Sequence, residues 1–256
     1  MFSEFKTYTT LKILLSEFKQ SLSLFFYSGI GLYTLLFLLT LKQKNYYLQF
    51  GLEYTFADSL IFCVSKYFVY LFFLPIGLFI RQRVSCNFKD VQLYVRLKNR
   101  ASIWRVKILS SFIIDFIYCI EIVAIILCIS FFLCEKTINW NNLSSIYAMK
   151  CGSVNNTANI INVLLIVTGF IYLSLILTDV IIQMISIFSN IFGWMVVILY
   201  IGFNMRGNLA QHICNLDYLS FTDLKKFFIV QIFKLGIMLI AFLIGIKVIE
   251  RKDFYE

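Results

Sequence analysis

An all-helical, polytopic membrane protein is the fold class this sequence predicts, and three observations carry that reading. Of its 256 residues, 60% are hydrophobic and only 14% are charged, where a soluble domain carries roughly 25% charged residues. Six apolar segments approach or exceed the ~20 residues a helix needs to cross the hydrocarbon core. Basic residues gather beside those segments, so the formal net charge of +9 reads as membrane orientation and not as a nucleic-acid surface. No polar stretch is long enough to fold alone, and the chain is read as a single transmembrane domain over 1–256.

The elements follow in chain order. Over residues 2–20, Tyr8, Leu11, Leu15, Phe18 and Leu22 recur at helical spacing, with Lys6, Thr9, Ser16 and Gln20 opposite. That pattern predicts an amphipathic helix lying in the interface plane; an irregular lead-in to the first span is the alternative. Acids are interspersed there and no short apolar core appears, so a signal peptide is not expected. Spans are predicted near 21–41, 59–80, 108–134, 159–178, 181–203 and 227–248. Pro75, the single proline, falls inside the second; it removes one helical hydrogen bond and predicts a kink. Only "TDV" separates the fourth and fifth, which predicts a tight hairpin there with Asp179 as a helix cap or a contact to the basic loop.

Orientation follows from the cations. With the N-terminus inside, the cytoplasmic side holds Lys6, Lys12, Lys19, Arg81, Arg83, Lys89, Arg96, Lys98, Arg100, Arg105, Lys107, Lys247, Arg251 and Lys252, against Lys42, Lys44, Lys136, Lys150, Arg206, Lys225 and Lys226 outside. That 14-to-7 bias predicts both termini in the cytoplasm and the 43–58, 135–158 and 204–226 loops outside.

The stretch "QLYVRLKNRASIWRVKIL", Gln92 to Leu109, is basic and half apolar. On a helix, Leu93, Leu97, Ala101, Trp104 and Ile108 form one stripe, flanked by Arg96, Arg100 and Lys107 on one side and Lys98 and Arg105 on the other. Such stems cover apolar surface while their heads reach water or phosphate, and Trp104 suits the headgroup boundary. A short cytoplasmic surface helix near 90–107, running directly into the third span, is therefore predicted. A loop that merely obeys the positive-inside rule would need the charges but not the stripe.

This stretch resembles the segment between spans two and three in permease subunits of type-two ABC exporters, in particular bacterial peptide or antimicrobial-peptide exporter and immunity permeases. Tyr94, Arg96, Arg100, Trp104 and Lys107 match that family's aliphatic–Arg, basic, Trp, basic pattern, and the tail "ERKDFYE" is similar in form. The resemblance covers the whole chain in architecture but only these patches in sequence. It departs at 204–226, where "NMRGNLAQHICNLDYLSFTDLKK" is shorter and more polar than the family's re-entrant element. What it implies is a transmembrane permease with no nucleotide site of its own. A separate ATPase, binding ATP and Mg, would dock on the cytoplasmic face against Leu93, Tyr94, Arg96, Leu97, Arg100 and Trp104. A second permease copy or a related permease would complete the unit in the lipid bilayer of a cell membrane. The cargo would be an amphipathic peptide, such as a toxin or bacteriocin, or a lipid-like molecule. "GLEYTFADS" and "CGSVNNTAN" both lack the spacing of a phosphate-binding loop. A six-span sensor, immunity or assembly protein without transport is the competing reading, and a membrane-embedded enzyme a third.

Charges inside spans cost roughly 2.5–3.5 kcal/mol at the bilayer centre and mark partners or function. Four stand out: Lys66, Asp115, Glu121 and Lys234. Lys66 lies roughly 10 Å deep from the outer side and Glu121 roughly 20 Å from the inner side, so their depths coincide and a Lys66–Glu121 pair is expected, with Lys234 as rival partner. These residues read either as the lining of an export path or as a buried pair fixing helix packing. Of the seven cysteines, Cys63, Cys119, Cys128 and Cys134 lie in or beside apolar runs, and Cys134 and Cys151 flank one outer loop where pairing is conceivable. His212 is the sole histidine, with no acid or Cys pattern for a metal or catalytic site. The Lys-, Ile-, Phe- and Asn-rich usage suggests an AT-rich, Gram-positive bacterial genome.

The topology is checked by thiol labelling of intact cells in a cysteine-free background. Ser144→Cys should react with a membrane-impermeant reagent and Val95→Cys should not; the reverse pattern inverts the orientation.

Overall fold

The computed structural model describes residues 2–85, 100–186, 190–206 and 216–251. Among these, the secondary structure is helical, with no strand beyond an isolated bridge between Glu53 and Ser145. Helix α1 runs Phe2–Gln49 and α2 runs Phe56–Cys63. Helix α3 comprises Lys66–Phe68, a π-helical turn at Val69–Phe73, and Leu74–Ser85. Then come α4, Arg100–Leu133, and the short α5, Ile146–Cys151. Helix α6 is Ile160–Ser186, α7 is Asn190–Arg206, a 3-10 turn spans Tyr218–Phe221, and α8 is Leu224–Arg251. Among the described residues four helices are long and apolar enough to cross a membrane, and α2 with α3 makes a fifth candidate if that pair, bent by 42°, is one span. Within α7 the apolar part is only Gly193–Gly202. The chain is thus a helical protein with several membrane-spanning segments.

Local chemistry explains where the helices end, and several limits differ from those predicted. No break separates residues 2–20 from the first span: α1 is one 48-residue helix, carried past Lys42 and Lys44. It stops at Gly51, whose φ of +69° is the left-handed conformation that glycine adopts freely; the Gly51 and Leu52 amides then close back on Leu48 and Tyr47. The predicted bend at Pro75 is displaced. The sharp turn lies at Val64–Ser65, ten residues earlier in the chain than the proline, and α3 accommodates Pro75 with the wide π turn that precedes it. No hairpin forms at "TDV" either, because α6 continues through it to Ser186. Thr178 satisfies its hydroxyl on the Ser174 and Leu175 carbonyls, and Asp179 finds charged company across the bundle, so these polar residues sit inside a buried helix instead of in a turn. The N-terminal part of α4 takes in residues 100–107, so the end of the predicted surface helix and the third span are one continuous rod. Leu93, Tyr94, Arg96 and Leu97 lie outside the described residues, as does His212.

Helices α1, α2, α3, α4 and α6 share one apolar core around Leu36, Leu60, Phe73, Ile122, Val167 and Phe170. A second core joins the start of α4 to α6 and α8 through Trp104, Ile108, Val180, Ala241 and Ile249. Trp104 is fully buried there, between helices and not on the outer surface of the bundle. Its indole N–H donates to the Phe242 carbonyl at 3.3 Å, and its ring lies against the bare backbone of Gly245. A Cβ at Gly245 would fall 2.3 Å from the Trp104 ring, so only glycine allows this approach. In lipid, where apolar burial gives helices little mutual attraction, such close van der Waals contact is a main source of association.

Enlarging that position is therefore expected to separate α4 from α8. Gly245→Leu should lower stability by about 1–3 kcal/mol, the usual cost of overpacking, read as a reduced thermal-unfolding midpoint of purified protein. Adding Trp104→Ala should return part of the loss; an unchanged midpoint in the single variant would mean the contact is loose.

Candidate functional site

A buried ionic cluster occupies the end of the bundle opposite the 50–55 and 134–145 loops. Arg81 comes from α3, Asp115 from α4 and Asp179 from α6, and all three are nearly inaccessible. The Arg81 guanidinium is paired directly with the Asp179 carboxylate, and its Nη1 lies 3.9 Å from Asp115 Oδ2. Gln183, one turn beyond Asp179, donates both to that carboxylate at 3.2 Å and to the Ser111 hydroxyl at 2.7 Å. Ser111 and Ser110 in turn donate to the Lys107 carbonyl. Two carboxylates and one guanidinium thus tie three helices, and the charge of Lys107 acts on Arg81 from the adjacent turn of α4. Sequence reasoning singled out Asp115 and Asp179 separately. Arg81 was counted only as one more cytoplasmic cation, and nothing in the spacing joins residues on three different helices.

The other intramembrane charges are not brought together. Lys66 begins α3 just after the 42° break, with its ammonium 5.3 Å from the centre of the adjacent Tyr67 ring. Glu121 instead faces α1, its Oε1 against Gly29. The expected Lys66–Glu121 pair is therefore absent: equal depth does not give equal azimuth around the bundle. Lys234 is not its partner by ion pairing either; it is buried on α8 with its ammonium 4.8 Å from the Phe170 ring, a cation–π distance.

At the opposite end, Asp58 organises a polar and aromatic cap. Its carboxylate accepts from the Thr55 amide at 2.9 Å and the Thr55 hydroxyl at 2.6 Å. The Trp140 indole and the Tyr218 hydroxyl each donate to it at 3.1 Å. Trp140 stacks on Tyr147 with ring centres 4.8 Å apart and meets Tyr218 and Phe221 edge-on. One buried carboxylate therefore draws together α2, the 134–145 segment, α5 and the 3-10 turn. At its rim, hydrogen bonds from exposed Lys136 hold the Glu53 carboxyl below the usual carboxylate range. Lys44 donates to the Leu133 carbonyl at 2.6 Å, placing a cation at the C-terminus of α4. Asp58 went unnoticed in the sequence because it falls at the edge of a predicted outer loop. Cys134 and Cys151, where pairing was conceivable, are both free thiols.

Among the described residues no three His, Cys, Asp or Glu side chains gather in a way that would hold a metal ion. Comparison with known proteins adds no relative: no protein-family model, no curated protein and no solved structure matches the chain.

Breaking the ionic cluster one member at a time strands a buried charge, which typically costs about 3–5 kcal/mol. Arg81→Met is accordingly expected to lower folded yield and the unfolding midpoint sharply. Arg81→Met combined with Asp115→Asn and Asp179→Asn should recover most of that loss, since no charge is then left alone. Losses that simply add across the three positions would show that the groups do not act as a unit.

Proposed function

We propose that this chain is the permease subunit of an ATP-driven exporter, coupled to a separate ATPase through the basic helix near 90–107 and moving an amphipathic peptide or lipid-like substrate out of the cytoplasmic membrane. The observation that carries the reading is the mechanical continuity of α4. A basic, half-apolar stretch feeds into a 34-residue helix, so a displacement applied at its start reaches the middle of the bundle without slack. Trp104, fully buried on Gly245, supports this role from below: it does not meet a partner but fixes the base of the rod to α8. Leu93, Tyr94, Arg96, Leu97 and Arg100 are left as the contact surface for the ATPase. The chain then has six spans, with α7 as the fifth and the bent α2–α3 pair as the second, both termini in the cytoplasm, and a second permease beside it. ATP and Mg are bound by the partner. Gram-positive origin follows the residue usage alone.

The test is to express the chain with the ATPase encoded nearest to its gene and to measure co-purification, ATP turnover and resistance to cationic peptides. Rim charges contribute up to about 1 kcal/mol each, so Arg96→Ala/Arg100→Ala should weaken but not abolish assembly and uncouple turnover from resistance. Leu97→Asp should do more, because it puts a charge into the apolar stripe. If both variants insert, bind the ATPase and confer resistance as the parent does, the stretch is only an orientation signal. If no ATPase co-purifies with the parent, the sensor or assembly reading replaces this one.

A further inference from the structure

The seam between α1 and α4 holds two polar side chains that the ionic cluster does not use. Tyr118 is 1% exposed and its hydroxyl has no hydrogen-bond partner among the described residues; Glu121 Oε2 is enclosed and also has none there. They stand three residues apart on α4 and so share one face. From α1, Gly29 meets the carboxyl, and a Cβ there would lie 2.5 Å from Oε1. Ser28 has turned its hydroxyl to the Phe25 carbonyl, and the Phe25 ring centre lies 6.2 Å from that of Tyr118. From α3, Gly77 lies against the Tyr118 ring, with Leu175 of α6 beside the same glycine. No described cation pairs with Glu121: Arg81 serves Asp115 and Asp179, Lys66 sits over Tyr67, and Lys234 over Phe170.

Buried polar atoms are nearly always satisfied, and exceptions ask for an explanation. Here the two exceptions are a carboxyl oxygen and a hydroxyl on one face of α4, with the Phe25 ring beside Tyr118 and the bare backbone of Gly29 against the carboxyl. Glu121 as a whole is only partly buried, and Phe26 and Ile30 of α1 and Ile120 of α4 are exposed along the same seam. The Tyr118–Glu121 pair therefore borders the surface that lipid covers.

We infer that the Tyr118–Glu121 pair is an intramembrane subsite for the ammonium group of an amphiphile that enters from the bilayer, its apolar chain lying along the α1–α4 seam. The inference deepens the export reading and rests on it only in calling that amphiphile a substrate. A carboxylate supplies the countercharge, the Tyr118 hydroxyl oxygen accepts a second N–H, and the Phe25 and Tyr118 rings surround the cation as cation–π recognition requires.

The test uses the purified chain alone in lipid nanodiscs, so it succeeds or fails independently of any ATPase. Dicyclohexylcarbodiimide, which modifies carboxyl groups in apolar surroundings, should label Glu121, located by peptide mass analysis. Dodecylammonium should slow that labelling at least five-fold, and dodecanol at equal membrane concentration should not. Gly29→Ala should abolish the protection by displacing the Glu121 carboxyl, and Tyr118→Phe should reduce it. If Glu121 is not labelled, or if dodecanol protects as well as dodecylammonium, Glu121 is a packing acid and the subsite does not exist. Protection in the chain alone that is unaffected by Gly29→Ala would likewise overturn the assignment.

Discussion

The arrangement of this bundle depends on how it neutralises charge away from water. A guanidinium and two carboxylates in hydrocarbon are tolerated only in one another's company. Arg81, Asp115 and Asp179 meet that condition from α3, α4 and α6, and their meeting fixes the rotation of each helix about its axis. Once Asp179 must face Arg81, Val180 and Ile176 of α6 face the Trp104 core and Leu175 faces Gly77 and Tyr118 of α3 and α4. Apolar packing alone would define such rotations weakly, since lipid chains solvate Leu and Ile as well as a neighbouring helix does.

The opposite end uses the same device with a different composition. Asp58 is a buried carboxylate with no salt-bridge partner among the described residues, and it is held by four donors from Thr55, Trp140 and Tyr218. Hydrogen bonds to an ionised acceptor are among the stronger ones, and two of them come here from residues 82 and 160 positions away in the chain. Both ends of the bundle are thus locked by carboxylates, and the middle is left to aliphatic and aromatic contacts such as Leu36, Ile122 and Phe170.

That division decides how much was legible in the sequence. Helical class and the rough location of each apolar segment follow from composition and run length, which are local quantities. Helix ends were less legible, because a polar residue can mark either a turn or a buried partner. Lys42 and Lys44 suggested the end of α1, yet the glycine at 51 decides it. "TDV" suggested a turn, yet Asp179 is a bundle contact. Depth along a helix was readable from counting, and it misled for Lys66 and Glu121, because counting carries no azimuth relative to other helices. The ionic cluster and the Asp58 cap are tertiary facts: their members lie 34, 64, 82 and 160 residues apart, and no periodicity links them. Trp104 was legible as a special residue and assigned to the wrong surface. An indole is amphipathic enough for a headgroup belt or a core, and only Gly245, 141 residues away on another helix, selects the core.

Residues 86–99 join two fixed points. On one side α3 is pinned four residues before its end by Arg81; on the other, α4 is pinned four residues after its start by Trp104. The two pins differ in kind. Trp104 holds α4 to α8 by shape and one hydrogen bond, whereas Arg81 holds α3 to α4 and α6 by charge. A force on residues 86–99 must therefore either carry α4 and α8 together or shear α3 from Asp115 and Asp179. Close-packed interfaces of this kind shift between discrete arrangements instead of deforming smoothly. The 3.9 Å separation of Arg81 from Asp115, looser than its pairing with Asp179, makes the α3–α4 contact the weaker link of the two. Because Ile176 and Val180 tie α6 to that same Trp104 core, motion begun at the basic stretch would thus carry α4, α6 and α8 together against α3. The seam that carries Tyr118 and Glu121 runs along the moving rod.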